Sequence, residues 1–180
     1  MPALVSPHPQ YQQSFLACVR EILDAGEQER WAGLTVLGDE SYSVQELADP
    51  SRFAAFTLRL QDLAGPGTQL PEGLVAMTVL WWVDGDDYLG RLSIRHELND
   101  WLREVGGHIG YVVRPSARRR GNATAMLTAA LPVARGLGID PALVTCDDTN
   151  VGSRRVIEAN GGVFEDQRGE KLRFWVSTSG

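Results

Sequence analysis

The chain has 180 residues, 43% of them hydrophobic and 22% charged, and 17 Lys+Arg against 23 Asp+Glu leave a formal net charge of −6. This length and composition suit one soluble globular domain, which buries roughly two thirds of its unfolded surface and needs no disulfide or metal staple. The acidic balance argues against a general nucleic-acid binder, because such a protein needs cations to displace counterions from phosphates. No run approaches about 20 apolar residues, and Met1-Pro2-Ala3-Leu4-Val5 lacks a basic segment followed by a long apolar one, so neither a membrane span nor a signal peptide is expected. Cys18 and Cys146 are far apart and have no close-spaced His or Cys partners, which suggests neither a disulfide nor a zinc module and fits a reducing cytoplasm.

Tyr11 to Ala25 carries Phe15, Val19, Ile22 and Leu23 at helical spacing and stops at Gly26. Asp49-Pro50-Ser51 opens a second helix to Leu63, with Phe53, Phe56 and Leu60 on one face. Ala64-Gly65-Pro66-Gly67-Thr68 reads as a loop. Beyond it, the β-branched and aromatic run Leu74 to Val83 predicts a strand, Asp84-Gly85-Asp86 a turn, and Tyr88 to Ile94 the return strand. Gly107 to Val113 is a third strand, halted by Arg114-Pro115. From Gly121 the period becomes 3.6, with Ala123, Met126, Leu127, Ala130, Leu131 and Ala134 on one stripe and Pro132 predicting a bend. A strand at Ala142 to Cys146, a helix from Val151 to Ala159 stopped by Asn160-Gly161-Gly162, and strands near Val163 and Leu172 to Val176 complete a mixed α/β order.

Arg114-Pro115-Ser116-Ala117-Arg118-Arg119-Arg120-Gly121-Asn122-Ala123-Thr124 crowds four arginines into an acidic chain at a helix start. Unpaired N–H groups, a positive dipole end and small residues at Gly121 and Ala123 make an anion cradle suited to a diphosphate. No Gly-Lys-Ser/Thr follows, so this is not a nucleotide P-loop.

The pattern Arg118-x-x-Gly121-x-Ala123 resembles the Arg/Gln-x-x-Gly-x-Gly/Ala motif of GNAT-type N-acetyltransferases, with Val113-Arg114-Pro115 at the matching distance before it. Asn150-Val151-Gly152-Ser153 and Gly161-Gly162-Val163-Phe164 resemble the family's Asn-x-x-Ser/Ala helix and its Gly-aromatic turn. The resemblance covers about residues 106–164. It implies a single domain over residues 1–180, with N-terminal helices at about 11–63 and the motif-bearing core at about 71–180. The implied fold has antiparallel N-terminal strands and a splayed central parallel pair, Gly107 to Val113 and Ala142 to Cys146, flanked by helices.

The resemblance further implies acetyl-CoA as co-substrate, no metal, and a primary amine acceptor attacking directly in a ternary complex. The pyrophosphate would lie on the amides from Arg119 through Arg120, Gly121, Asn122 and Ala123 to Thr124, with Arg118 adding charge. Val112 and Val113 would hold the pantetheine arm, and Asn150 and Ser153 the far side; Asn150 also suits a helix cap. The family's usual glutamate base falls at Gly107 and its usual tyrosine acid at Ile157. His108, Tyr111 and Glu97 are the candidate replacements, with His96 beside Glu97; a regular strand points His108 and Tyr111 to opposite faces. Acidic Glu97, Asp100, Glu104, Asp84, Asp86 and Asp87 would favour a cationic acceptor. A noncatalytic acyl-CoA sensor of the same fold is the alternative. Neither a nucleic acid nor a membrane is an expected partner, and a homodimer is compatible with the sequence.

Overall fold

The computed structural model describes residues 1–65 and 67–179. Pro66 of the expected loop and Gly180, the last residue of the expected domain, lie outside the described residues. In chain order the elements are β1 (Ala3–Val5), α1 (Gln12–Asp24), β2 (Thr35–Leu37), β3 (Glu40–Ser41), α2 (Val44–Leu47), α3 (Pro50–Asp62), β4 (Met77–Asp84), β5 (Asp87–Arg95), β6 (Ile109–Val113), α4 (Asn122–Gly136), β7 (Ala142–Asp147), α5 (Val151–Ala159), β8 (Val163–Arg168) and β9 (Lys171–Val176). Seven strands form one sheet in the order β1-β4-β5-β6-β7-β9-β8, and β2 pairs with β3 apart from it. Every neighbouring pair is antiparallel except β6 and β7.

Two amphipathic layers hold this sheet. Helix α1 buries Phe15, Leu16, Cys18, Val19 and Ile22. Helix α3 begins at Pro50 because Asp49 Oδ1 accepts from the amides of Ser51 and Arg52 at 2.9 Å, and it buries Phe53, Phe56 and Leu60. Both pack on one sheet face, where Phe15 stacks on Trp81 at 5.3 Å between centroids. On the other face, α4 and α5 cover Leu92, Ile94, Ile109, Val113, Val144 and Phe174 with Met126, Leu127, Ala130 and Ile157. Each such side chain contributes about 1.5–3 kcal/mol on burial, so the two apolar layers are the main hold on the sheet.

Helix α4 continues through Pro132 to Gly136. The third expected strand is corrected at its start: Gly107 stands at φ 62° as the exit of a π-helical turn, Leu102–Gly106, and the strand begins at Ile109. A Cβ on Gly107 would lie 2.6 Å from the carbonyl oxygen of Leu143. Residues Leu74 to Ala76 likewise precede β4 rather than belonging to it.

Strands β6 and β7 share a single register pair, Ile109 with Val144. Beyond that pair they part, β7 keeping its ladder with β9 along its whole length and β6 its ladder with β5. The parting opens the sheet at the C-terminal ends of two central parallel strands, where the helix-bearing turns follow.

Candidate functional site

The opening is a cleft of about 950 Å³. One wall is the free edge of β6 with Tyr111, Val112 and Val113, continued by Ala117 to Arg119 and Gly121 to Thr124. The start of α5 faces it with Asn150, Gly152, Ser153, Arg155 and Val156. The segment after α1, with Gly26, Glu27, Gln28 and Trp31, closes a third side.

The turn before α4 is built to leave its amides bare. A 3-10 turn at Pro115–Ala117 leads into extended Arg118, then Arg119 at φ 62° and Gly121 at φ 80°. Among the described residues, Ala125 is the first residue of the helix whose amide finds a carbonyl, that of Gly121, and the amides of 119–124 donate to no protein acceptor. A Cβ on Gly121 would meet no atom within 4 Å, so the missing side chain keeps open space beside these donors. The Asn122 side chain is structural: Nδ2 donates to the Ala117 carbonyl at 2.9 Å, and Oδ1 accepts from Trp82 Nε1 at 3.0 Å. Together these groups fit a diphosphate: bare amides, a helix dipole and a turn pinned from behind.

The four arginines divide. Arg114 donates from Nε and Nη2 to Glu21 Oε1 at 2.8 and 2.6 Å. Arg118 holds Glu27 with both terminal nitrogens at 2.5 and 2.9 Å and donates from Nε to the Val113 carbonyl. The guanidinium beside each carboxylate holds Glu21 and Glu27 below the usual carboxylate range. Arg118 therefore braces the cleft, and its charge is already shared with Glu27. Arg119 lines the cleft and Arg120 does not; both are exposed and, among the described residues, make no ion pair. Arg155, which the sequence reasoning missed, faces the cradle from α5.

At the inner end, the Tyr111 hydroxyl lies 2.7 Å from Ser153 Oγ, bridging the parted strands from β6 to α5. Burial pushes the phenol up to about 12, so it stays protonated at neutral pH. Asn150 Oδ1 caps α5 by accepting from the Ser153 amide at 2.9 Å.

The remaining candidates lie elsewhere. His108 is not on the cleft wall: its Nδ1 accepts from the Leu143 amide at 2.9 Å while its own amide donates to the Leu143 carbonyl at 2.7 Å. Burial, with Arg103 and Arg95 nearby, lowers its pKa to about 4. The imidazole is a clip across the start of the parallel pair, with its Nδ1 lone pair engaged by the Leu143 amide and the ring outside the cleft lining. Glu97 is exposed and away from the cleft, His96 Nε2 is paired with Thr78 Oγ1 at 2.8 Å, and Ile157 is fully buried in the core. Trp81 is core, whereas Trp101 is 61% exposed. Among the described residues no group of His, Cys, Asp or Glu is placed to hold a metal ion, and no helix is long and apolar enough to cross a membrane.

The sequence profile described as the acetyltransferase (GNAT) domain matches residues 39–163. No curated protein matches the sequence significantly. Solved structures share the fold at low identity. The PaiA N-acetyltransferase of Thermoplasma acidophilum in complex with coenzyme A is 12% identical with a TM-score of 0.58, covering 98% of this chain and 99% of that one. The microcin C7 self-immunity acetyltransferase MccE, in complex with acetyl-CoA and AMP, is 11% identical with a TM-score of 0.60, covering 98% and 92%. A Salmonella typhimurium acetyltransferase that modifies the N-terminal serine of ribosomal protein L7/L12 is 16% identical with a TM-score of 0.57, covering 97% and 92%.

Proposed function

The chain belongs to the GNAT acetyltransferase family, and on that premise we propose that it is one N-acetyltransferase domain that moves an acetyl group from acetyl-CoA to a primary amine by direct attack in a ternary complex. The observation that carries this reading is the row of bare amides at 119–124 opening onto the parted strands. Those amides, with Arg119 and Arg155, bind the pyrophosphate; Val112 and Val113 offer the unpaired edge of β6 to the amide groups of the arm; and Asn150 and Ser153 bound the far side. Bound there, the thioester supplies an activated acetyl carbonyl.

The amine nitrogen forms a bond to that carbonyl carbon, the carbon–sulfur bond breaks, and sulfur leaves with the electron pair. Tyr111 holds a proton at the inner end of the cleft and donates it to the departing sulfur, while Ser153 fixes the direction of the phenol. Removing a proton from the amine falls to water: of the carboxylates on the wall, Glu27 is held by Arg118 and Asp147 by Lys171. An alkyl amine with pKa about 10.4 then reacts through its small neutral fraction.

The absent glutamate and tyrosine at Gly107 and Ile157 favour one second reading, an acyl-CoA sensor. Acetyl-CoA raises the melting temperature under both readings, and ATP or an oligonucleotide does not. Amine-dependent release of the coenzyme A thiol supports the transferase; saturable acetyl-CoA binding without thiol release across amine and peptide libraries supports the sensor.

A further inference from the structure

Strand β5 has neighbours on both sides in the sheet, yet Arg91, Ser93 and Arg95, which share one of its faces, are each half-buried while Gly90, Leu92 and Ile94 between them are buried. The helical layer that seals Trp81 on β4 leaves this face of β5 and β6 half-open. The partners of Arg91 and Ser93 on β6 are Val112 and Gly110, and Val112 also lines the cleft, so this face of β5 and the cleft share Val112. Where a Cβ of Gly110 would stand, Arg95 Nη1 and Nη2 approach to 3.5 and 3.7 Å and Ser93 Oγ to 3.8 Å. Gly110 is the first residue past Ile109, the last to pair with β7.

Arg95 Nη1 donates to the carbonyls of Gly106 and Gly107 at 3.1 and 3.3 Å, and among the described residues no carboxylate pairs with this guanidinium. Its charged neighbour is another cation, Arg91. A half-buried charge without a counter-charge destabilises a fold unless a ligand supplies one. Of the carboxylates expected to attract a cation, Asp84, Asp86 and Asp87 lie at the far end of the β4–β5 hairpin, about 26 Å along the strand, Glu104 pairs with Arg168, and the nearer Glu97 and Asp100 are exposed and, among the described residues, form no ion pair with Arg95.

We propose that this face of β5 and β6 receives the acceptor and that the acceptor is an amine bearing a carboxylate, which Arg95 binds with the help of Ser93, so that the nitrogen reaches the thioester beside Gly110. The proposal rests on the acetyl-CoA reading above. Its charge preference is opposite to the one the acidic loops suggest.

The test compares free L-amino acids with their carboxamides as acceptors, by thiol release at saturating acetyl-CoA, in the wild type, Arg95→Gln and Arg95→Lys. The expected result is kcat/KM at least tenfold higher for the best free acid than for its amide, a preference lost in R95Q through KM and partly kept in R95K. In parallel, the NMR signal of the Gly110 amide shifts on titration with that acid and not with its amide, a readout that needs neither cofactor nor variant. Amides or spermidine used as well as acids, an equal fall in kcat for every acceptor in R95Q, no turnover of any acid despite acetyl-CoA binding, or a Gly110 signal unmoved by every acid would each overturn the proposal. Failure of the wild type to bind acetyl-CoA overturns the cofactor reading instead, and the Gly110 titration still decides the carboxylate site.

Discussion

Arg118, the first residue of the Arg-x-x-Gly-x-Ala pattern, holds Glu27 of the turn after α1 through two parallel bonds of 2.5 and 2.9 Å. Glu27 is there because α1 ends in a reversed turn at Gly26, whose amide donates to Leu23 and whose successor's donates to Ile22, swinging the next side chain back over the cradle. With side chains 38% and 29% exposed, the pair contributes up to about 1 kcal/mol. Arg118 lowers the Glu27 pKa in the folded state, so this contribution is full above the unfolded value of 4.5 and fades as pH falls through the folded value. Glu27→Gln should lower stability near neutrality by that amount, and the gap from wild type should close in acid. It should also weaken acetyl-CoA binding several-fold by releasing the Gly26–Trp31 wall. Urea melts at three pH values and a calorimetric titration check both; an undiminished gap at pH 3 contradicts the pairing.

Gly121→Glu sets a carboxylate where the cleft is empty, beside the bare amides of 119–124. At φ 80° a side chain costs about 1–2 kcal/mol, which a domain of this size tolerates. Acetyl-CoA affinity should fall at least a hundredfold while the circular dichroism spectrum is retained. Unchanged affinity in a folded variant removes the cradle from the mechanism.

The cradle and most long elements were legible in the sequence because they depend on local chemistry. Asp49-Pro50 starts α3, Asn160-Gly161 ends α5, and the small residues before α4 open the amides. Short partners were not: β1 has three residues and gains its conformation from β4, a neighbour more than seventy residues away. The roles of the arginines also escaped, since Glu21 and Glu27 meet Arg114 and Arg118 across more than ninety residues and no spacing rule connects them. The surroundings of His108 were not legible for the same reason. Its residue type suits a base, and only the fold shows its lone pair facing the Leu143 amide.

Burial, with Arg103 and Arg95 nearby, gives His108 a measurable acid signature. The folded pKa, about 4, lies below the unfolded 6.5. As pH falls through 6.5 the unfolded chain takes up a proton that the folded chain refuses, so stability is lost across that window and restored above it. Discounted for the partial exposure of the ring, the effect is about 1 kcal/mol. His108→Asn, which keeps an acceptor for Leu143, should flatten this slope without changing the pH dependence of turnover. A turnover limb near neutrality that vanishes in H108N reinstates the histidine as a base.

Gly107 stands where the sequence resemblance would put a glutamate base, and its backbone leaves no place for one. Its φ of 62° and the 2.6 Å approach of the Leu143 carbonyl to any Cβ leave no room for a side chain, and the π-helical turn that produces this exit also delivers the two carbonyls bound by Arg95. Gly107→Glu should therefore cost several kcal/mol rather than add a base, since overpacking against backbone adds to the strain of positive φ. A soluble G107E variant with raised activity at pH 7 would show that the turn can open to seat the glutamate.

Without a side-chain base at the cleft, kcat/KM for an alkyl amine of pKa about 10.4 should climb about tenfold per pH unit between 7 and 9, following its neutral fraction, whereas with an α-amino acid the climb should level off as pH passes its lower amine pKa. Tyr111, pushed up to about 12, remains protonated throughout, so no alkaline limb from the acid should appear in that range. Tyr111→Phe removes the donor and leaves the ring, and kcat should drop roughly 10²-fold with acetyl-CoA affinity within threefold of wild type. Ser153→Ala should have a smaller effect, because the phenol keeps its proton and loses only the partner 2.7 Å away. A thioester whose thiol already has a low pKa leaves without help, so a thiophenyl acetyl donor should be transferred by Y111F at nearly the wild-type rate. Equal losses with both donors would place the defect in geometry and not in proton donation.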